Sequence, residues 1–194
     1  LPNGLEISED VAGSAIVRKP GEKPGLTFFA SLSQPVVLVT GKKSDGAWEL
    51  QPLGTGKTLE PMNGWKVMDS GGAQAKLEVK DGVLRLTEDR GVQIGSLLTR
   101  QPDWTQDVLS VSCAGIEDRV GCWLLTELLR EMPDVKAEIT CIFLAQEQHC
   151  TKVAELAMNE TDAAVAIRLA SAKVNDINLT GAPVNAGGGP VLKL

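Results

Sequence analysis

Acidic side chains occur at two points of the sequence where catalytic chemistry is possible. Glu117 and Asp118 begin a segment with helical spacing, and Glu147 follows an apolar segment typical of a strand. Sites gather at the carboxyl ends of strands in α/β sheets, where one carboxylate can hold a metal ion and another can act as a general base. The same residues would also occur if Glu117 and Asp118 only capped a helix and Glu147 only ended a strand in solvent. Residue types alone leave both interpretations open.

The histidine content limits this chemistry. His149 is the single histidine among 194 residues, which excludes any site that takes two imidazoles from this chain. His149 lies beside Cys150, but two adjacent ligands without a third are more typical of ordinary side chains at the start of a helix. The four cysteines show no zinc-type spacing, and we expect them to be reduced and mostly buried.

Apolar spacing predicts the elements that would position the acidic residues. Between Asp118 and Met132, apolar residues recur with helical spacing, which indicates an amphipathic helix. Apolar and β-branched runs predict strands, and we expect the first, second and last of them to be buried. The predicted strands cover residues 26–30, 35–40, 136–145 and 162–170, and a second helix covers residues 151–158. Alternating strands and helices are typical of an α/β protein with a parallel sheet.

Residues 41–107 have a different pattern. Turn signals rich in glycine recur along this segment, and apolar and polar residues alternate on both sides of Asp81 and Gly82, which predicts a β-hairpin. We interpret the segment as a small all-β, barrel-like unit. The predicted architecture is an α/β layer with flanking helices that is interrupted by this inserted β domain and then resumes.

Composition limits the partners. The net charge is −6, whereas a protein that binds nucleic acid usually carries a basic face. The 43% of hydrophobic residues is enough for a buried core. No apolar run of about 18 residues and no secretion signal is visible, so we expect a cytoplasmic protein that binds neither nucleic acid nor a membrane.

The order of the motifs resembles the M42 family of aminopeptidases, the group of glutamyl and tetrahedral aminopeptidases. The family pattern A-L-D-D-R-x-G is similar to residues 115–121, and the pattern Q-E-E is similar to residues 146–148. The pattern A-H-M-D-E-V-G-F-x-V-T falls on residues 30–40, and G-x-G-P-V-I falls on residues 187–192. The resemblance extends from about residue 10 to the end of the chain.

The resemblance implies a fold and a division into domains. M42 enzymes have an α/β domain with a dinuclear zinc or cobalt site and an inserted β domain used for oligomerisation. In this chain the resemblance implies a zinc-peptidase-like domain over residues 1–40 and 108–194. The inserted β domain would cover residues 41–107.

Several positions depart from the ligand set of the family. By the resemblance, the first metal-binding histidine falls on Ser31 and the neighbouring aspartate falls on Ser33. The bridging aspartate falls on Glu117, whose carboxylate is one methylene longer. We expect these positions to be the trace of a metal site rather than a working one.

The general base and the remaining ligands show the same trend. The general base falls on Glu147 and is retained, whereas the adjacent ligand glutamate falls on Gln148. The next ligand aspartate falls on Arg168, and the final ligand histidine would lie beyond Leu194. Arg168 brings a permanent positive charge to a place where a metal ion should bind. We predict that Arg168 pairs with Glu147, or else with Glu117, and so replaces the metals with a guanidinium group.

Three functions remain open. The predicted one is a non-catalytic M42 peptidase-like protein that acts as a structural, regulatory or binding subunit, with no cofactor. The second is a metal-dependent aminopeptidase whose site is rebuilt from Glu117, Asp118 and Glu147 or completed by a partner chain, and it would need zinc or cobalt. The third is a small-molecule or peptide binder that uses the vestigial cleft.

The resemblance also implies self-association or co-assembly with a related subunit. Trp48, Trp65 and Trp104 lie in or beside the predicted β insertion, and tryptophan is enriched at protein interfaces. These side chains would alternatively fill the core of a small barrel, which we expect for at least two of them.

Overall fold

The computed structural model describes residues 4–54, 59–132, 134–150, 152–171 and 190. Within these ranges the protein is mixed α/β, with strands in two main sheets and two α-helices. The strands before the first helix are β1 (Glu6–Glu9), β2 (Ala15–Lys19), β3 (Glu22–Ser31), β4 (Val36–Lys42), β5 (Trp48–Leu53), β6 (Lys66–Met68), β7 (Gln74–Lys80), β8 (Val83–Arg90), β9 (Leu97–Arg100), β10 (Thr105–Gln106) and β11 (Val111–Ser112). They are followed by α1 (Ile116–Arg130), β12 (Ala137–Leu144), α2 (Lys152–Asn159) and β13 (Ala163–Arg168).

The first sheet has five strands in the order β1-β2-β12-β3-β13. Strand β12 is parallel to β3 and β13 is parallel to β3, whereas β12 is antiparallel to β2. The expectation of a parallel sheet was therefore wrong for β1 and β2, which the sequence did not predict as strands. A short connection returns the chain from β2 into β3, and β12 inserts between them, so β12 has one antiparallel and one parallel neighbour.

Both faces of this sheet are covered. Side chains alternate between the two faces along β12, so Cys141 faces α1 and Ile142 faces α2. Leu125 and Leu129 of α1 are buried on the first face. Ala157 of α2 is buried on the second. The apolar face of α1 thus packs on the first face of the sheet.

Strand β13 was predicted to be buried, and this prediction was wrong. Among the strands of the described residues it is the outermost one, beside β3, and Val165 on it is 49% exposed. An apolar run does not distinguish a central strand from an edge strand, because burial depends on neighbours that are distant in sequence.

The second sheet has six strands in the order β5-β4-β9-β6-β7-β8, and all its pairs are antiparallel. It contains the predicted hairpin around Asp81 and Gly82, which is formed by β7 and β8. The sheet is nearly closed, because Trp48 on β5 donates a hydrogen bond from Nε1 to Asp89 Oδ2 on β8 at 3.2 Å. Trp48 and Trp65 pack against its core, whereas Trp104 is 61% exposed.

The chain crosses between the sheets at two places. Strand β4 pairs with β5 and β9, so residues 36–40 lie in the second sheet. The small β10–β11 hairpin precedes α1 on the return. Among the described residues, no helix has both the length and the apolar character needed to cross a membrane. Apart from Pro190, residues 187–192 of the last family pattern lie outside the described residues, as do Pro133 and Thr151.

Candidate functional site

The predicted site residues lie at one edge of the first sheet. Strands β3, β12 and β13 run parallel, so their carboxyl ends meet at the same edge. Ser31 ends β3 beside Leu144, the last residue of β12, and Arg168 ends β13 beside Phe29. The amino-terminal turn of α1 brings Asp118 to this edge.

A chain of hydrogen bonds joins four of the predicted residues, and we call it the polar chain. The hydroxyl oxygens of Ser31 and Ser33 are 2.9 Å apart. The backbone N–H of Gln148 donates to Ser33 Oγ at 3.0 Å, and the side-chain Nε2 of Gln148 donates to Asp118 Oδ2 at 2.6 Å. Hydrogen bonds therefore link these four residues, which occupy the positions where the family resemblance places metal ligands or their neighbours.

Arg168 and Glu147 form the ion pair that the sequence predicts. Arg168 Nη2 lies 2.9 Å from Glu147 Oε1. The Glu147 side chain is 12% exposed, whereas that of Arg168 is 51% exposed. The second carboxylate oxygen of Glu147, Oε2, is buried without a hydrogen-bond partner among the described residues. The pair thus joins a mostly buried carboxylate to a cation that is half in solvent.

A sharp turn after β12 directs Glu147 and Gln148 towards the other residues. Gln146 has a φ of 58°, which is uncommon for a residue with a Cβ atom. Its carbonyl accepts the backbone N–H groups of His149 and Cys150, both at 2.9 Å, and its Nε2 donates to Ala12 O at 2.8 Å. His149 and Cys150 themselves are exposed.

Glu117 and Asp118 occupy different positions although they are adjacent. Glu117 is exposed, whereas Asp118 is half-buried and contacts Gln148. Successive helical residues differ by about 100° around the axis, so only one of the two can face the strand ends. The structure brings together Ser31, Ser33, Asp118, Gln148, Glu147 and Arg168, and it leaves Glu117 at the margin.

Two further residues belong to this edge of the sheet but were not found from the sequence. Cys122, one turn after Asp118, donates from Sγ to the carbonyl of Ser31 at 3.1 Å. Burial raises the pKa of the Cys122 thiol, and the Asp118 carboxylate raises it further. Gly121 allows α1 to approach the backbone at Leu169 closely. No sequence signal marks Cys122, whereas Gly121 is the last residue of the family pattern D-R-x-G.

The environment of Asp118 disfavours its charged form. Burial raises the pKa of this carboxyl, and the negative charges of Glu117 and Glu147 raise it further. The Arg168 guanidinium and the hydrogen bond from Gln148 oppose the shift without cancelling it. The pKa of Asp118 in the folded protein is therefore higher than that of an aspartate in solvent.

The substitution Asp118→Asn should stabilise the protein at neutral pH. Because the folded state raises the pKa of Asp118, its contribution to the free energy of unfolding is complete below the ordinary pKa and is lost as the pH rises through the raised value. At pH 7 we expect a gain of roughly 0.5 kcal/mol, since solvent screens the half-exposed group. The gain should shrink as the pH falls towards about 4.

Urea unfolding of both proteins across this pH range would measure the effect. Asp107→Asn is a suitable control, because the pKa of Asp107 is shifted the other way. It is lowered, mainly by the hydrogen bond from the backbone N–H of Leu109. The control should change stability in the opposite direction. The prediction would be contradicted if the gain in the free energy of unfolding from Asp118→Asn were smaller at pH 7 than at pH 4.

The described residues contain no group of three or more His, Cys, Asp or Glu side chains that are placed to hold one metal ion. The side chains at the strand ends are instead two hydroxyls, an amide, a guanidinium and the carboxylates of Asp118 and Glu147. This set does not fit two divalent cations. The guanidinium is permanently positive, and the hydroxyl and amide oxygens are neutral and therefore weak metal ligands.

The sequence belongs to a known family. The sequence pattern of the M42 glutamyl aminopeptidase family matches residues 83–194, which is more than half of the chain. The chain is therefore a member of the M42 peptidase family. No curated protein matches the sequence in a direct comparison.

Solved structures show the same fold. A TET aminopeptidase from a marine sediment archaeon of the Thaumarchaeota superposes with a TM-score of 0.80 at 16% identity, over 95% of this chain and 61% of the other. An aminopeptidase from the archaeon Desulfurococcus kamchatkensis gives a TM-score of 0.74 at 14% identity, over 89% and 55%. The TET1 peptidase from Pyrococcus horikoshii gives 0.71 at 18% identity, over 92% and 64%. The chain thus spans less than two thirds of each of these structures.

Proposed function

We propose that this chain is a non-catalytic M42 peptidase-like protein that acts as a structural, regulatory or binding subunit. The observation that carries the proposal is the ion pair between Arg168 and Glu147. By the family resemblance, Glu147 stands at the position of the general base and Arg168 at that of a metal ligand. The proposal takes this guanidinium to stand in for a divalent cation of the family site.

Electrostatics supports the loss of the metals. Two divalent cations about 3.5–4 Å apart repel each other and need several carboxylates and imidazoles to offset that repulsion. Arg168 adds a further positive charge to the same edge of the sheet. Gln148 donates its amide N–H to Asp118, so this carboxylate oxygen already has a partner.

The ion pair also occupies one carboxylate oxygen of the residue at the general-base position. A general base must be within hydrogen-bond reach of the proton that it removes. Glu147 Oε1 accepts from Arg168 at 2.9 Å, and no metal-activated water is needed to satisfy that oxygen. The retained Glu147 therefore serves to neutralise Arg168 at the carboxyl end of the sheet.

The proposed function is tested by metal analysis and an aminopeptidase assay. We expect purified protein to carry substoichiometric metal after incubation with Zn²⁺ or Co²⁺ and to release no amino acid from peptide substrates above the background of a Glu147→Gln variant. Stoichiometric metal together with turnover that is lost in Glu147→Gln would overturn the proposal. That outcome would favour an aminopeptidase with a rebuilt or partner-completed site.

The proposed role includes assembly with other chains. The Pyrococcus horikoshii TET1 peptidase assembles into a tetrahedron or a large octahedral shell. We propose that this chain self-associates or joins a related subunit through the inserted β unit, whose sheet begins with β4 at Val36. Native mass spectrometry of the same preparation should show oligomers. A strict monomer near 20.6 kDa would count against homo-oligomerisation and leave co-assembly to be tested by mixing with the related subunit.

A further inference from the structure

A cleft of about 320 Å³ lies between the second sheet and the beginning of α1, and the residues that line it do not include those of the polar chain. Its size is sufficient for a small molecule. Residues from both sides contribute to its walls. They include Gln34, Met68, Arg100, Pro102, Ala114 and Arg119.

The lining of this cleft carries two positive charges and no negative one. Arg100 comes from β9 and Arg119 from α1. Within the described part of the chain, neither guanidinium forms an ion pair with a carboxylate. Both residues are exposed, so a solute can reach them.

Both arginines are held in place by contacts that leave their charge uncompensated. Arg100 lies over the ring of Trp65, 5.3 Å from its centroid. Arg119 donates from Nη2 to Gln34 Oε1 at 3.4 Å. An aromatic face and an amide oxygen orient a guanidinium without neutralising it.

The start of α1 adds to the positive potential. Gly115 occupies the N-cap position and forms no side-chain cap, and a helix N-terminus carries a partial positive charge. The two acidic residues of this turn do not line the cleft, since Glu117 is exposed and Asp118 contacts Gln148. Met68, Pro102 and Ala114 form an apolar part of the wall.

We propose that this cleft binds a small molecule that carries an oxyanion, either a carboxylate or a phosphate, together with an apolar part. Guanidinium groups match the geometry of carboxylate and phosphate oxygens, and hydrogen bonds between two ionised groups are about twice as strong as neutral ones. Arg100 and Arg119 would bind the oxyanion from opposite walls, and Gln34 would donate from its amide nitrogen. The bound molecule would join the second sheet to α1, and it would stabilise the folded chain.

Calorimetric titration of the full chain with inorganic phosphate and with butyrate, at constant ionic strength, tests the proposal and separates the two classes of oxyanion. We expect saturable binding of at least one probe that is weakened about tenfold in Arg100→Gln and in Arg119→Gln. Arg85→Gln removes an exposed arginine on β8 and should leave binding unchanged. Circular dichroism would show that each variant is folded. Absence of saturable binding of both probes, or equal weakening in Arg85→Gln, would overturn the proposal.

Chemical modification gives a second measurement that needs no variant. Phenylglyoxal reacts with accessible arginines, and peptide mapping by mass spectrometry identifies the modified residues. The probe that binds should protect Arg100 and Arg119 and leave Arg85 reactive. Equal modification of all three arginines with and without the probe would overturn the proposal.

Discussion

The substitution Arg168→Gln should destabilise the protein by about 1–3 kcal/mol, because it leaves a mostly buried carboxylate without its cation. Glu147 is 12% exposed, and its Oε2 already lacks a partner among the described residues. The reverse change, Glu147→Gln, should cost less than about 1 kcal/mol, since the half-exposed Arg168 regains water. The asymmetry reflects which of the two charges is buried.

Urea unfolding of both single variants and the double variant would measure the coupling between the two side chains. The double variant should regain most of the stability that Arg168→Gln loses, because it removes the unpaired carboxylate. Arg130→Gln is the control, since Arg130 pairs with Glu127 at 2.6 Å but is 64% exposed. A cost for Arg168→Gln no larger than that of the control would show that Glu147 is solvated in solution.

The sequence predicted those elements whose own apolar residues recur with the spacing of a helix or form the run of a buried strand. The stripe that includes Leu125 and Leu129 predicts α1, and the apolar run of residues 136–145 predicts β12. Strands β1 and β2 were missed, because β1 is exposed throughout and β2 gains its burial by pairing with β12. Long-range pairing of this kind leaves no signature within a polar segment.

The site was predicted in part for a similar reason. The resemblance places Glu147 and Arg168 at the ends of two strands, and both strands run parallel to β3, so the two residues reach the same end of the sheet. The choice between Glu117 and Asp118 depends on the rotation of α1 about its axis, which neither residue type determines. The cleft between Arg100 and Arg119 joins two distant segments and depends on how the second sheet packs beside α1.

Gly121→Ala should destabilise the protein by about 2 kcal/mol or more, although alanine favours a helix over glycine by about 1 kcal/mol. A Cβ atom at Gly121 would overlap the carbonyl oxygen of Leu169 and lie 3.0 Å from Ala30 Cβ. The carbonyl belongs to the backbone after β13, so it cannot move aside as a flexible side chain can. Steric overlap therefore outweighs helix propensity at this position. Val120→Ala, at an exposed neighbour in α1, is the control and should stay within about 0.5 kcal/mol of the parent.

The same close approach positions the polar chain. Gly121 lies three residues after Asp118 and on the same side of α1, so displacement of the helix should separate Asp118 from Gln148. Once they separate, water reaches Asp118 and its charge no longer opposes folding. We therefore expect Asp118→Asn to lose its stabilising effect at pH 7 in the Gly121→Ala background. Additive effects of the two substitutions in urea unfolding would show that α1 accommodates the methyl group without moving away from the strand ends.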